Sequence, residues 1–225
     1  MMKKLLIWAM LLATPSLCQV HAGTVNFGFA GPGVSGTIQL TYGPATDAKY
    51  SQAFEVTGIS GTFSDSNNGL NIVNVPIGPL EPIKHDTPEP SNLLAPDDFS
   101  RFAVAAGLPA QSNGFLTYTN LFWPSGSPQT ASDYPFHGGF LDIYGLLFDI
   151  GGGRVVNLWS NGDLSGTGNG PIDYGVAVAT QDNALDYVSN GVSVVPEPSA
   201  LVLLSFGLAG MLAWRRDPLR GRLKR

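Results

Sequence analysis

The sequence contains few charged residues and almost no cysteine. Asp, Glu, Lys and Arg make up 13% of its 225 residues, and Cys18 is its single cysteine. One cysteine excludes a disulfide scaffold and any zinc or iron–sulfur site built from several cysteines. The apolar fraction of 44% is too high for a disordered polymer. The length therefore fits one ordinary domain with targeting segments added to it.

Basic residues are nearly absent from the middle of the chain. Residues 23–195 contain four Lys or Arg against fifteen Asp or Glu, a net charge of −11. Residues 215–225 carry six basic side chains and one acidic side chain. Because a body this acidic repels phosphate backbones, the sequence predicts no nucleic-acid partner.

The common catalytic motifs are also missing. The sequence has no GxSxG nucleophile elbow, P-loop, HExxH motif, EF-hand loop or dinucleotide fingerprint. After residue 22 it has two histidines, His85 and His137, which we interpret as solvated loop residues rather than a metal pair. No catalytic, cofactor-binding or metal-binding residue is assigned, and the chain is predicted not to be an enzyme.

The first 22 residues have the pattern of a secretory signal peptide. Two lysines precede the apolar residues 5–13, and a Val-His-Ala sequence ends the segment, as in a cleavage site. The apolar stretch is too short for a stable membrane anchor. We expect signal peptidase to cleave between Ala22 and Gly23, which removes Cys18 and leaves an exported chain without cysteine.

An apolar stretch and a basic tail follow the body. Residues 200–214 are apolar and would form a helix about 22 Å long at ~1.5 Å per residue. That is short for a hydrocarbon core of ~30 Å, but flanking residues extend it. Arg215 and Arg216 begin the basic tail, which we expect to stay in the cytoplasm and stop transfer. Together with a cleaved signal, one membrane helix predicts an extracytoplasmic body.

A short motif precedes this helix, with the sequence Pro196-Glu197-Pro198-Ser199. The order of motif, short helix and Arg-rich tail resembles the PEP-CTERM sorting domain. The resemblance implies that the motif is recognised by exosortase, a membrane transpeptidase-like protease of Gram-negative bacteria that make exopolysaccharide. It also implies a single-pass inner-membrane intermediate that is then sorted to the cell surface or the biofilm matrix. Two prolines around Glu197 favour an extended, accessible segment.

The body has the pattern of an all-β domain. Apolar residues alternate with period two in short segments that Gly-, Asn- and Pro-rich turns separate. This pattern predicts an antiparallel β-sandwich or barrel of about nine strands. The predicted strands are residues 24–29, 34–42, 54–63, 70–75, 115–123, 140–148, 155–160, 174–180 and 185–195. A helical turn is predicted at residues 97–106, because acidic residues begin it and Gly107 follows it.

We divide the chain into three parts: a signal peptide (1–22), an extracytoplasmic β domain (23–194) and the sorting segment (195–225). Several strand patterns of the body are similar to those of a recurrent set of small exported PEP-CTERM proteins, at residues 58–63, 120–124, 140–142 with 145–148, and 156–160. That similarity implies no particular activity.

One segment suggests a metal site. Asp163, Asn169 and Asp173 lie among four glycines, and oxygen ligands on such a loop suit Ca²⁺. An ordinary hairpin connection explains the same residues, so no cofactor is predicted beyond this calcium alternative.

Two further alternatives concern carbohydrate. A matrix-modifying glycoside hydrolase would use body carboxylates such as Asp142 and Asp163. A carbohydrate-binding module would use a platform of aromatic rings, although the same rings serve equally to fill a β core. The candidate platform residues are Phe122, Trp123, Tyr134, Phe136 and Trp159. The preferred prediction is a structural or binding protein of the cell surface or exopolysaccharide matrix. Its predicted partners are signal peptidase, exosortase, the membrane and exopolysaccharide.

Overall fold

The computed structural model describes residues 22–132, 138–167 and 170–197. These residues form an antiparallel all-β fold without an α-helix, which confirms the predicted fold class. Among them, no helix has the length and apolar character needed to cross a bilayer. The predicted signal peptide before Ala22, the predicted membrane helix and the basic tail lie outside the described residues.

Eleven strands run through the described part of the chain. They are β1 (Gly23–Gly31), β2 (Val34–Thr46), β3 (Phe54–Asp65), β4 (Ile72–Pro76), β5 (Ser100–Ala103), β6 (Phe115–Tyr118), β7 (Leu121–Phe122), β8 (Leu146–Asp149), β9 (Val155–Asp163), β10 (Ile172–Ala179) and β11 (Ala184–Pro196). Nine of them form one sheet in the order β4-β3-β2-β1-β11-β10-β9-β8, with β7 paired to β3. β5 and β6 form a separate two-stranded sheet.

The nine-stranded sheet curls into a half-barrel, and the chain after β4 connects its two edges. Ile77 donates its N–H to the Gly61 carbonyl of β3. One residue later, Gly78 donates its N–H to the Asp149 carbonyl of β8. This segment therefore occupies hydrogen-bonding groups of β8 that would otherwise form an open sheet edge.

The main core fills the inside of the curl. Strand β2 shows how the sequence builds it, since Val34, Ile38 and Leu40 are buried while Ser35 and Thr37 are exposed. The same alternation in the other strands brings large side chains from both halves of the sheet into contact. Members of this core include Phe27, Leu40, Phe63, Phe148, Leu158 and Val176.

A second layer covers the outer face of β8, β9 and β10. The small β5–β6 sheet supplies it, and its apolar side chains contact residues that point away from the main core. The buried members of this outer cluster are Phe102, Val104, Leu116, Tyr118, Leu147, Val155, Trp159, Ala177 and Ala179. Because of this cover, all nine residues of β9 are buried.

The predicted helical turn at residues 97–106 is wrong. Residues Ser100–Ala103 form β5, whose Phe102 faces Leu116 of β6. Ser100 and Phe102 are buried and Ala103 is exposed, which is the period of a strand. The local signals for a helix were outweighed because Phe102 gains buried apolar contacts on the outer face of the large sheet.

Two predicted strands are shorter than the sequence indicated. The predicted strand 140–148 is a strand only from Leu146, because Asp142 binds the N–H groups of the turn before it. The predicted strand 115–123 is divided into β6 and β7, and Asn120 between them has φ +50°. At Asp142 local side-chain hydrogen bonds compete with the ladder, whereas the side chain of Asn120 donates to the distant Glu81 carbonyl and accepts the N–H of Leu147.

Candidate functional site

The described end of the chain places the start of the sorting motif on the large sheet. Strand β11 ends at Pro196, which faces Phe27 of β1. The N–H of Glu197 donates to the Asn26 carbonyl over 3.0 Å. Pro196 and Glu197 are both exposed. The motif therefore begins without a spacer after the folded sheet, and β11 extends two residues into the predicted sorting segment.

Proline is tolerated at position 196 because a backbone N–H there would have no hydrogen-bond acceptor. Since Glu197 donates to Asn26, the alternation of an antiparallel ladder makes Phe27 and Pro196 a non-hydrogen-bonded pair. The nitrogen of Pro196 consequently points away from β1. On that side, β10 pairs with β11 only as far as Val192. Proline is tolerated at an unpaired position of this kind.

Both predicted processing sites lie at one end of the β1–β11 pair. Strand β1 begins at Gly23, directly after the exposed Ala22, and runs antiparallel to β11. The signal-cleavage position and the sorting motif therefore leave the domain on adjacent strands. The other predicted sorting residues lie outside the described residues, namely Pro198, Ser199, Arg215 and Arg216.

A cleft of about 760 Å³ opens between the β5–β6 sheet and the outer face of β9 and β11. Its walls combine aromatic rings with amide side chains, and the residues that define it are Arg101, Phe115, Tyr144, Asn157, Trp159 and Tyr187. The volume is in the range of small-ligand sites in proteins, ~300–1,000 Å³.

Trp159 forms the floor of this aromatic cleft. It faces Gly175 of β10, and its ring lies so close that a Cβ on Gly175 would come within 2.2 Å of the indole. Its Nε1 donates to Asn161 Oδ1 over 2.9 Å, and Asn161 Nδ2 donates to Asp173 Oδ2 over 2.8 Å. The Tyr187 ring packs beside it with centroids 5.4 Å apart. These contacts hold both rings in fixed orientations.

Arg101 borders the cleft between two phenylalanine rings. Its guanidinium lies 5.2 Å from the Phe99 centroid and 5.8 Å from the Phe115 centroid, within cation–π range. Its Nη2 donates to Glu89 Oε1 over 2.9 Å. Arg101 and Glu89 are the charged residues that line the cleft, so its lining is electrically neutral.

The structure divides the aromatic residues predicted for a sugar platform. Trp123 has no exposed surface, and its ring packs 5.4 Å from that of Tyr50. Phe122 is also buried in the interior, so these two residues fill the core. Trp159 lines the aromatic cleft. Tyr134, Phe136 and the nearby His137 lie outside the described residues.

Sequence reasoning missed Arg101, Phe115 and Tyr187. Arg101 was hidden by the wrong helix prediction, since only a strand at this position pairs with β6 and brings Arg101 beside Phe115. The alternation of buried and exposed residues in β6 was a usable signal for Phe115, which is 37% exposed. Tyr187 carried no local signal, because its partner Trp159 is 28 positions away in the sequence.

Asp142, one of the carboxylates considered for a hydrolase, is buried inside the domain. It accepts N–H bonds from Tyr144 over 3.0 Å and Gly145 over 2.8 Å, and a hydroxyl bond from Thr119 over 3.2 Å. It is 1% exposed, and this burial raises its pKa to about 6. Asp142 therefore anchors the turn before β8 and does not line the aromatic cleft.

Asp163, the second of these carboxylates, organises the loop between β9 and β10. Its Oδ1 accepts bonds from the N–H and hydroxyl of Ser165, and its Oδ2 from Gly170 N–H and Thr167 Oγ1. The Ser165 hydroxyl and the Gly170 N–H hold the pKa of Asp163 well below its usual range. Asp173 similarly accepts bonds from Asn161 and from the Gly191 N–H.

The residues considered for calcium are thus Asp163 and Asp173, with carboxylates engaged by protein donors, and Asn169, which lies outside the described residues. Within the described ranges, no three His, Cys, Asp or Glu side chains converge as a metal-binding group.

A smaller cleft of about 500 Å³ is acidic. Glu55 of β3, Glu81 and Asp98 line it together with His85, whose Nδ1 lies 3.5 Å from Asp98 Oδ1. Burial raises the pKa of Asp98, and the neighbouring carboxylates of Asp47 and Glu55 raise it further. This acidic cleft places a carboxyl with a raised pKa opposite a second carboxylate.

Comparison with known proteins identifies the segment that begins at the end of β11. Residues 194–216 match the family described as the PEP-CTERM protein-sorting motif. No curated protein and no solved structure matches the chain. The matched residues include Pro196 and Glu197, which the structure places at the exposed end of the sheet. The predicted sorting signal is therefore confirmed: residues 194–216 carry a PEP-CTERM protein-sorting motif, which is consistent with an exported protein.

Proposed function

We propose that this chain, once cleaved by exosortase, reaches the cell surface or the exopolysaccharide matrix, where its β domain binds polysaccharide without modifying it. The match at residues 194–216 supports the route. The aromatic cleft is the observation that carries the binding role.

Processing is tested by following the ends of the chain. In a host with exosortase, we expect the mature protein to lose residues 200–214 by cleavage near residues 196–200. Without exosortase, the chain should keep this segment and stay in the membrane. Mass spectrometry of the surface fraction decides between the two, because peptides that span residues 200–214 in matrix material would contradict the proposed route.

The chemistry of the aromatic cleft suits sugars. The faces of pyranose rings carry C–H groups that pack on flat aromatic rings, and their hydroxyls bond to amide and guanidinium groups. Tyr187 and Phe115 present partly exposed rings, while Trp159 supports Tyr187 from below. Because Asn161 and Gly175 already fix Trp159, binding costs little side-chain ordering.

The charges of the domain indicate which sugars fit. The lining of the aromatic cleft is neutral, since Arg101 is paired with Glu89. The body around it is strongly acidic. A polyanion would meet repulsion from the body and no unpaired cation in the lining. We therefore expect uncharged sugar units to occupy the cleft.

The binding role is tested with the processed protein and exopolysaccharide isolated from the producing cells. We expect Tyr187→Ala and Arg101→Ala to weaken retention at least about tenfold, as truncation of a central contact usually does. Tyr50→Ala is the matched control, because Tyr50 is also a half-buried tyrosine but lies outside the cleft. Equal retention of all three variants and the parent would exclude the aromatic cleft as the binding site.

A second candidate function is hydrolysis of the matrix polysaccharide, and the acidic cleft favours it. Asp98, whose pKa is raised, would donate a proton, and the carboxyl group of Glu55 lines the same cleft. This hypothesis predicts that the processed protein releases reducing ends from native polysaccharide, and that Asp98→Asn abolishes the release while Asp97→Asn leaves it unchanged. Absence of any release by the parent protein would leave binding as the function.

A further inference from the structure

The geometry points to control of sorting by the β1–β11 pair: we propose that the end of β11 must separate from β1 before exosortase cleaves the motif. This inference rests on the exosortase processing proposed above. It concerns the timing of cleavage, which the sorting motif alone does not determine.

The end of β11 is held to β1 by the antiparallel ladder from Ala30–Ser193 to Phe27–Pro196, and three further contacts reinforce it. The Ser193 hydroxyl donates to the Ala30 carbonyl over 3.3 Å. The side chain of Val194 is partly buried against the main core. The Glu197 N–H donates to the Asn26 carbonyl. The last core contact therefore lies two residues before Pro196, and the paired backbone continues into the motif itself.

A protease active site needs this same backbone. Extended substrates are bound through main-chain N–H and carbonyl groups, as when a strand is added to a sheet. The N–H of Glu197 is already bonded to the carbonyl of Asn26, and β1 covers one edge of Pro196 and Glu197. When a folded segment must open before cleavage, the rate follows the population of the open form. A stable β1–β11 pair therefore slows processing, and a loosened pair accelerates it.

The decisive experiment locks the pair with a reversible bond. Gly28 and Val195 face each other, and the alternation from Asn26 and Glu197 makes them a hydrogen-bonded pair. Opposite residues in such a pair have Cα atoms ~5.5 Å apart, which suits a disulfide. A Cβ on Gly28 meets no atom closer than 3.8 Å. The double variant Gly28→Cys, Val195→Cys therefore links the strands without changing residues 196–199.

The measurement is a pulse-chase of the full chain in a host with exosortase. We expect the oxidised double variant to be processed at least about tenfold more slowly than the same variant after a reductant is added. Each single variant and the parent chain should be processed equally with and without reductant, since cleavage after Ala22 removes the native cysteine. Because the locked and unlocked chains have one sequence, altered motif recognition cannot produce the difference.

A second experiment weakens the pairing by substitution in β1, with a matched control at the same residue. Gly28→Pro removes the N–H that β1 offers to Val195, whereas Gly28→Ala keeps it. We expect processing of Gly28→Pro to be about fivefold faster, the effect of losing one backbone hydrogen bond. Protease resistance of the body checks that both variants are folded.

The outcomes separate this inference from the proposed route. If the parent is shortened and the oxidised lock is shortened at the same rate as the reduced one, the inference is wrong and the route stands. If the parent is never shortened in the presence of exosortase, the proposed route fails and this inference fails with it. If the oxidised double variant is processed slowly and reduction restores its rate of processing, both the inference and the proposed route are supported.

Discussion

Strands β2 and β9 belong to one sheet but have different surroundings. In β2, buried residues alternate with exposed ones, whereas every residue of β9 is buried. The cause is the β5–β6 sheet, which covers the outer face of β8–β10 and leaves the outer face of β1–β4 to solvent. One half of the sheet therefore supports the fold with a single core, while the other half also builds the wall of a cleft.

Polar residues behave differently in the two halves. Outward polar side chains of β2 are exposed, but Asn157 and Asn161 of β9 are buried. The Asn157 amide donates to the carbonyls of Tyr144 and Leu146, and the Asn161 amide donates to Asp173. Buried polar groups must be paired in this way, because unpaired ones destabilise the fold. The covered half therefore has less freedom for substitution.

Substitution of glycines with positive φ is expected to give the largest difference in the free energy of unfolding between the two halves. Gly145 (φ +68°) lies in the covered half, and a Cβ there would come within 2.0 Å of the Leu158 carbonyl oxygen. Gly69 (φ +76°), between β3 and β4 in the open half, has no atom within 4 Å of such a Cβ. We expect Gly145→Ala to lower the free energy of unfolding by about 4 kcal/mol and Gly69→Ala by about 1 kcal/mol, because the second carries only backbone strain. Urea unfolding measures both; similar losses would contradict the stated cause.

The next largest loss of stability is expected when the packing of the β5–β6 sheet on the outer face of β8–β10 is disrupted. Leu116 of β6 is 2% exposed and packs in the outer cluster. We expect Leu116→Ala to lower the free energy of unfolding by about 3 kcal/mol, through lost contacts and a cavity. It should also increase binding of a hydrophobic dye, because the outer face of β8–β10 becomes accessible. A loss below about 1 kcal/mol without extra dye binding would mean that the β5–β6 sheet does not stabilise the covered half.

A pH dependence is expected from one buried carboxyl in each half. The folded-state pKa is raised to about 6 both for Asp142 before β8 and for Asp65 at the end of β3, mainly by burial. The folded state then binds more protons than the unfolded state between pH 4 and pH 6, so stability falls as the pH rises through this window and is constant above it. Asp163, whose pKa is lowered, titrates below the window and acts in the opposite direction.

The two carboxyls are separated by substitution. Asp142→Asn should remove about 2 kcal/mol of the stability change between pH 4 and pH 7, because the amide does not titrate. Asp65→Asn should remove a further part, and Asp98, whose pKa is also raised by burial, contributes to what is left. Thermal melting at pH 4, 5, 6 and 7 measures this change, and an Asp142→Asn variant with the full pH dependence of the parent would rule out the assignment.

The smallest effect is expected on the open face. Thr37 of β2 is exposed, and its hydroxyl lies 3.2 Å from that of Thr62 on β3. We expect Thr37→Ala to change the free energy of unfolding by less than about 0.5 kcal/mol, because a solvent-exposed hydroxyl pair is readily replaced by water. A loss above about 1 kcal/mol, measured by urea unfolding, would indicate a second cover on this face.

The same contrast explains how far the fold was predictable. Strands β1 to β3 have one solvent-exposed face, so apolar and polar residues alternate visibly in the sequence. The predicted strands at 24–29, 34–42 and 54–63 therefore overlap the observed ones. Strand β5 was missed because its four residues are too few to show a period, and the Asp-rich start favoured a helix. A strand this short is recognisable only when its partner is known.

The sorting motif, the all-β class and the acidic body could be predicted from the sequence alone. The motif is a contiguous pattern, and the other two follow from local alternation and from composition. That Pro196 and Glu197 lie against β1, and that Trp159, Tyr187 and Arg101 share one cleft, is visible only in the folded chain. These juxtapositions join residues far apart in the chain, and pairing and packing energies, which no local pattern contains, select them.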